Sequence, residues 1–188
     1  MGHEVQKSIP PEAKIQKKPT YGWPYLSALR TWGTLTEVLF DISPNGYPVE
    51  LAVEHCHNLF RLANQSINIV SGSLHPFFWQ DRRILDALRD RIEQGVSVSV
   101  LCGPESNDQS FEALQALKPE LLRRLPEVPK IHFMVVDNRH VRFELAHPPV
   151  AERRNAFTKR NIPEEAAQWK KRFQELLRPT AISSVNQT

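Results

Sequence analysis

Apolar positions recur along this chain with two periods, and the two together lay out an alternation of helices and strands. Over residues 49–63, Leu51, Val53, Cys56, Leu59, Phe60 and Ala63 fall at near-helical spacing, which predicts an amphipathic helix. Residues 67–71 (INIVS) read as a short strand. A second helix is expected over 81–94, with Ile84, Leu85, Leu88 and Ile92 on one face and Gly95 as its stop. Val and Ser alternate over 96–102, as in a half-buried strand. A third helix is expected over 110–125. Two adjacent strands follow over 131–136 and 140–145, joined by a tight Asp137-Asn138-Arg139 connection. The polar, basic stretch 148–163 reads as a loop. A final helix over 164–177 turns Ala167, Trp169, Phe173 and Leu176 or Leu177 inward.

Strand, helix, strand, helix, then a strand pair is the order of an α/β sheet with helices on both faces. Residues 1–20 are rich in Lys, Pro and Glu, which predicts a flexible arm outside the core. The segment after it carries Tyr21, Trp23, Tyr25, Trp32 and Phe40 and is expected to pack onto the domain as a short helix and an extended piece. Pro, Asn and Gly within 43–48 mark a turn. Residues 21–178 therefore read as one domain, and 179–188 as a flexible tail.

The chain's 188 residues suit that single domain, and 40% hydrophobic with 24% charged residues is a globular balance. A net charge of +3 permits an anionic partner without demanding one. No apolar run approaches the ~18 residues that cross a bilayer, and the N-terminus lacks the apolar core of a secretory signal. A cytoplasmic protein is expected. Cys56 and Cys102 are too few for a disulfide scaffold and read as reduced, buried thiols.

Residues 67–177 resemble a phospholipase D-like domain. The likeness is carried by INIVSGSL, then RIEQGVSVSVL, then KIHFMVVDNRHVRFE and a closing helix ending WKKRFQELL. Enzymes of that family carry H-x-K-x-x-x-x-D on the first strand of the hairpin. Their His attacks phosphorus, their Lys holds phosphate oxygens and their Asp helps orient the His, while a second copy supplies an acid. Residues i and i+2 of a strand share a face, so His and Lys reach one substrate. Aligned on Asp137, this chain has Lys130 at the histidine position and His132 at the lysine position. The family often follows with Gly-Ser-x-Asn; here that window reads Glu144-Leu145-Ala146-His147.

The exchange has chemical consequences. An ammonium has no lone pair unless burial or another cation strips its proton. Using His132 instead would move the attacking nitrogen about 6–7 Å at ~3.3 Å per residue. That is large against a near-attack distance of about 3–3.5 Å. The resemblance therefore implies a non-catalytic domain that binds a phosphate-bearing ligand or partner, nucleic acid included. Its candidate ligand-binding residues are Lys130, His132, Asp137, Ser71, Ser73 and His147. No cofactor or metal is implied. One alternative is a homodimeric phosphodiesterase or nuclease with His132 as nucleophile, its two motifs meeting across a twofold axis. The other is a structural dimerisation module.

Other polar groups have a plainer reading beside the functional one. Lys130 and His132 either bind an anion or cap a strand mouth. His140, Arg142 and Glu144 share one strand face, expected to be a solvated outer face with a cross-strand ion pair rather than a site. Ser71, Ser73 and His75 follow the first strand at the end where α/β sheets open their crevices, or simply hold a turn. His55 and His57 point about 200° apart on a helix, which does not suit a shared metal. Paired basic residues sit mostly on helix faces, and the 153–160 segment is the best placed to meet a polyanion. Phe77, Phe78 and Trp79 could stack a base but are expected to seal the core.

Overall fold

Ile67, Ile69 and Val70 are all buried, so the strand that carries them is covered on both faces. The computed structural model describes residues 30–31, 34–35, 37–41, 47–144 and 153–178. The arm over 1–20, the tail over 179–188, His147 and most of the 43–48 turn lie outside the described residues. The first elements are four strands, β1 (Arg30–Thr31), β2 (Thr34–Leu35), β3 (Glu37–Asp41) and β4 (Tyr47–Pro48), leading into helix α1 (Val49–Arg61). Next come β5 (Ser66–Ser71), α2 (Pro76–Trp79), α3 (Arg82–Glu93), β6 (Ser97–Cys102) and α4 (Asp108–Leu117). A 3-10 turn (Pro119–Leu121) and β7 (Leu122–Arg124) precede the hairpin β8 (His132–Val136) and β9 (His140–Glu144). The chain closes with β10 (Arg153–Arg154), β11 (Ala156–Arg160) and α5 (Pro163–Leu177).

Seven strands form one mixed sheet in the order β3-β11-β9-β8-β5-β6-β7. β5, β6 and β7 are mutually parallel, and every other neighbouring pair is antiparallel. On one face α1, α2, α3 and α4 bury Phe60, Leu59, Ile84, Leu88 and Leu114 against Ile67, Ile69, Met134 and Val136. On the other, Ala166 and Phe173 of α5 pack on Val70, Leu101, Phe133, Val135 and Val141. The period-2 alternation of β8 thus feeds two cores at once, and each fully buried large side chain contributes about 1.5–3 kcal/mol. Cys56 and Cys102 are both buried thiols, and burial pushes the Cys102 thiol up from its ordinary value. No helix among the described residues is long and apolar enough to cross a membrane.

The helix ends follow local chemistry. Asp81 accepts from the Arg83 backbone N–H at 2.9 Å and so caps α3. Its hydrogen-bonded contact with the Arg83 guanidinium holds the Asp81 carboxyl below the usual range. Gly95, at φ 83°, ends that helix in a left-handed conformation. Asn107 caps α4 by accepting from the Ser110 N–H at 2.9 Å.

Four expectations need correction. The helix expected to reach residue 125 stops at Leu117, because Pro119 forces Lys118 into extended geometry (φ −166°, ψ 116°); β7 then joins the sheet edge. The expected loop over 148–163 contains β10 and β11. The buried positions of β11 are the small Ala156 and Thr158, so the strand lacks the bulky apolar alternation that reveals one. In α5, Ala166 rather than Ala167 faces inward. Phe77, Phe78 and Trp79 do not act together: Phe78 and Trp79 are buried, while Phe77 is 69% exposed.

One side chain ties the hairpin to the sheet. The Asp137 carboxylate accepts the backbone N–H groups of Asn64, Gln65 and Ser66 at 2.7, 2.8 and 2.9 Å. Asp137 and Asn138 both have positive φ (52° and 51°), and the Arg139 N–H closes the turn on the Val136 carbonyl at 3.0 Å. Asp and Asn tolerate that region better than most residues do. Asp137→Ala should therefore lower unfolding free energy by about 1–3 kcal/mol in urea titrations, by orphaning donors and straining the turn. Unchanged stability would remove Asp137 from this role.

Candidate functional site

The register of the hairpin places His132 opposite Glu144, Met134 opposite Arg142 and Val136 opposite His140. Directly opposed residues share a face, so these side chains form one patch beneath the α1–α4 layer. Arg142 is 3% exposed and donates from Nη1 to Thr158 Oγ1 of β11 at 2.9 Å. Thr158 is itself fully buried. The face expected to be solvated is instead an interior polar face. At its turn end, burial first, and then the cations of Arg139 and Arg160, push His140 down from its ordinary value and favour its neutral form. His140 Nδ1 accepts from the Asn161 N–H at 3.4 Å.

At the other end lies a cleft of about 30 Å³, lined by Ser71, Phe78, Trp79, His132, Arg142 and Glu144 over a floor of Ile69 and Met134. It has room for about one or two water molecules. His132 Nδ1 lies 3.4 Å from Glu144 Oε2, and the two side chains are 21% and 18% exposed. Ser71 Oγ accepts from Trp79 Nε1 at 3.3 Å, which fastens α2 over the cleft.

Two glycines set the position of the imidazole. A Cβ on Gly72 would stand 2.5 Å from His132 Nε2. A Cβ on Gly103 would stand 2.7 Å from the Gly72 carbonyl oxygen. Ser106 Oγ donates within the same junction, to the Gly72 and Gly103 carbonyls at 3.0 and 2.8 Å. Only residues without a side chain permit backbone, backbone and ring to stack this closely. The sequence signal was there in Ser71-Gly72-Ser73, a glycine just past a strand, but nothing in it names the ring that needs the space.

The structure brings together only part of the expected set. His132 and Ser71 line the cleft. Lys130 is exposed and stands outside its lining. Ser73 is half-buried, and its carbonyl accepts from the Asn107 N–H at 2.9 Å, holding the loop after β5. Asp137 is at the far end of β8, five residues from His132, or about 16 Å at ~3.3 Å per residue. The expected cluster of Lys130, His132 and Asp137 is therefore split, and Asp137 serves the backbone at the opposite end. Arg142 and Glu144 join the cleft in their place. Within 153–160, Lys159 belongs to structure: it pairs with Glu165 at 2.8 Å and lies over the Phe143 ring.

No protein-family model matches the chain, and no curated protein does. Solved structures do. The phospholipase D family member Nuc from Salmonella typhimurium is 20% identical, with a TM-score of 0.58, over 76% of this chain and 94% of that one. NucT from Helicobacter pylori is 16% identical, with a TM-score of 0.52, over 76% and 94%. TrmBL2, an archaeal chromatin protein with a novel mode of DNA binding, is 14% identical, with a TM-score of 0.56, over 79% of this chain and 54% of that one. These likenesses show the fold. The chain has a phospholipase D-like fold, a mixed α/β sheet with helices on both faces.

The two glycines give a graded test. Gly103→Ala meets backbone and should cost about 1–3 kcal/mol by thermal or chemical unfolding. Gly72→Ala meets the end of a side chain that can turn away, so it should cost less while swinging His132 off Glu144. Equal costs, or an imidazole left in place in the Gly72→Ala structure, would contradict this packing.

Proposed function

We propose that this is a non-catalytic phospholipase D-like domain that binds a phosphate-bearing ligand, with nucleic acid the favoured class. The observation that carries the reading is the carboxylate of Glu144 beside His132 in a cleft from which Lys130 is excluded. A phosphodiester reaching this imidazole would meet a like charge in a space sized for water. Lysine at position 130 offers no lone pair, and Asp137 is occupied by three backbone donors. Binding then falls to the rim, where the loops after β5 and β6 meet the approach to β8. Lys130 is exposed there, and Phe77, on the short helix whose neighbours wall the cleft, stacks on His75 at 5.3 Å. An exposed cation and an exposed ring suit a phosphate backbone and a base respectively. That TrmBL2 shares the fold and binds DNA supports the same class of ligand.

A second reading, the homodimeric phosphodiesterase, draws on the same pair. A carboxylate against Nδ1 orients an imidazole in the manner of a catalytic dyad. One experiment separates the readings. Wild type and His132→Ala are assayed on bis(p-nitrophenyl) phosphate and titrated with single-stranded and duplex DNA across salt. The proposal expects equal, background turnover from both proteins and binding that weakens as salt rises. Lys130→Ala should reduce the slope of log K against log salt by about 1. Turnover that disappears in His132→Ala would establish the enzyme reading. Absence of binding at low salt would leave a dimerisation module, which light scattering would register as a dimer.

A further inference from the structure

The non-catalytic reading leaves open why a cleft with an imidazole and a guanidinium should exclude phosphate, and the cleft supplies an answer. Arg142 is 3% exposed in its wall, and a cation that deep is stable only with anionic or strongly polar company. Among the described residues lining the cleft, the acidic one is Glu144. Its carboxylate reaches His132 Nδ1 at 3.4 Å and stands on the face that Arg142 shares, two residues along the same strand. Its side chain brings two acceptor oxygens into the cleft beside the imidazole.

We propose that Glu144 is a built-in anion: it fills a latent phosphate site formed by His132, Arg142 and Ser71, and it sets the cleft's specificity against phosphate. This rests on the non-catalytic reading and names the residue that enforces it. The exclusion is both electrostatic and steric, because the carboxylate carries the like charge and also leaves only about 30 Å³ free. Removing the charge alone should open the site in part. Removing the side chain beyond Cβ should open it further.

The test measures inorganic phosphate binding to the full chain by isothermal titration and by ³¹P line broadening. The proteins compared are wild type, Glu144→Gln, Glu144→Ala and Glu144→Ala with His132→Ala, each first confirmed as folded by circular dichroism. Glu144→Gln should bind phosphate at least about tenfold more tightly than wild type, the least expected on removing a like charge within 4–6 Å. Glu144→Ala should bind more tightly still, and the gain should disappear when His132→Ala is added. Folded Gln and Ala variants that gain nothing would overturn the proposal. So would wild type binding as tightly as the variants, a gain confined to Ala, or a gain that survives loss of His132. The parent reading fails separately, through wild-type turnover or absent DNA binding, neither of which is read in this titration.

Discussion

The structure depends on a single carboxylate acting far from the cleft. Asp137 takes three successive backbone N–H groups at the start of β5, so the turn of the β8–β9 hairpin is anchored to its neighbour at a defined register. A slip of one residue would turn every side chain of β8 to the other face. Phe133 and Val135 would leave the α5 core, and His132 would leave the cleft. With the register set, His132 must stand opposite Glu144, with its ring against the bare backbone of Gly72. The geometry of the cleft is in this sense a consequence of the turn.

That dependence separates two things that the H-x-K-x-x-x-x-D spacing combines. Asp137 serves folding, because its partners are backbone groups that any sequence supplies. At the histidine end the sequence carries Lys130 and His132 in exchanged order, and Glu144 stands beside the imidazole. Folding and site chemistry are served by different atoms, which lie at opposite ends of one five-residue strand. On the polar face between them Arg142 donates to Thr158, and burial favours the neutral form of His140.

The fold was legible wherever apolar period and end signals agreed. α1, α3, β5, β6, the hairpin and α5 all follow from apolar spacing, with Gly95 and the Asp137-Asn138-Arg139 connection as punctuation. β11 was not legible, because its buried residues are Ala156 and Thr158, and small or polar groups carry no hydrophobic signal even at zero exposure. The continuation of α4 was misread for the opposite reason: the apolar pattern ran on past Pro119 although the backbone could not. For the cleft, alignment to a motif pointed to His132 but also grouped it with Lys130 and Asp137, which the strand places outside and at the far end. That Arg142 is buried and Glu144 half-buried was invisible in sequence. His140, Arg142 and Glu144 alternate identically whether their face meets water or a helix layer, and only the third dimension decides.

The central claim is that the cleft of the native protein already holds its own anion. The most direct measurement is a crystal structure of the wild-type chain soaked in tungstate, a heavy and readily located stand-in for phosphate. The account predicts the Glu144 carboxylate beside His132 Nδ1 and no tungstate in the cleft. Tungstate bound to the His132 ring, with Glu144 displaced, would contradict it.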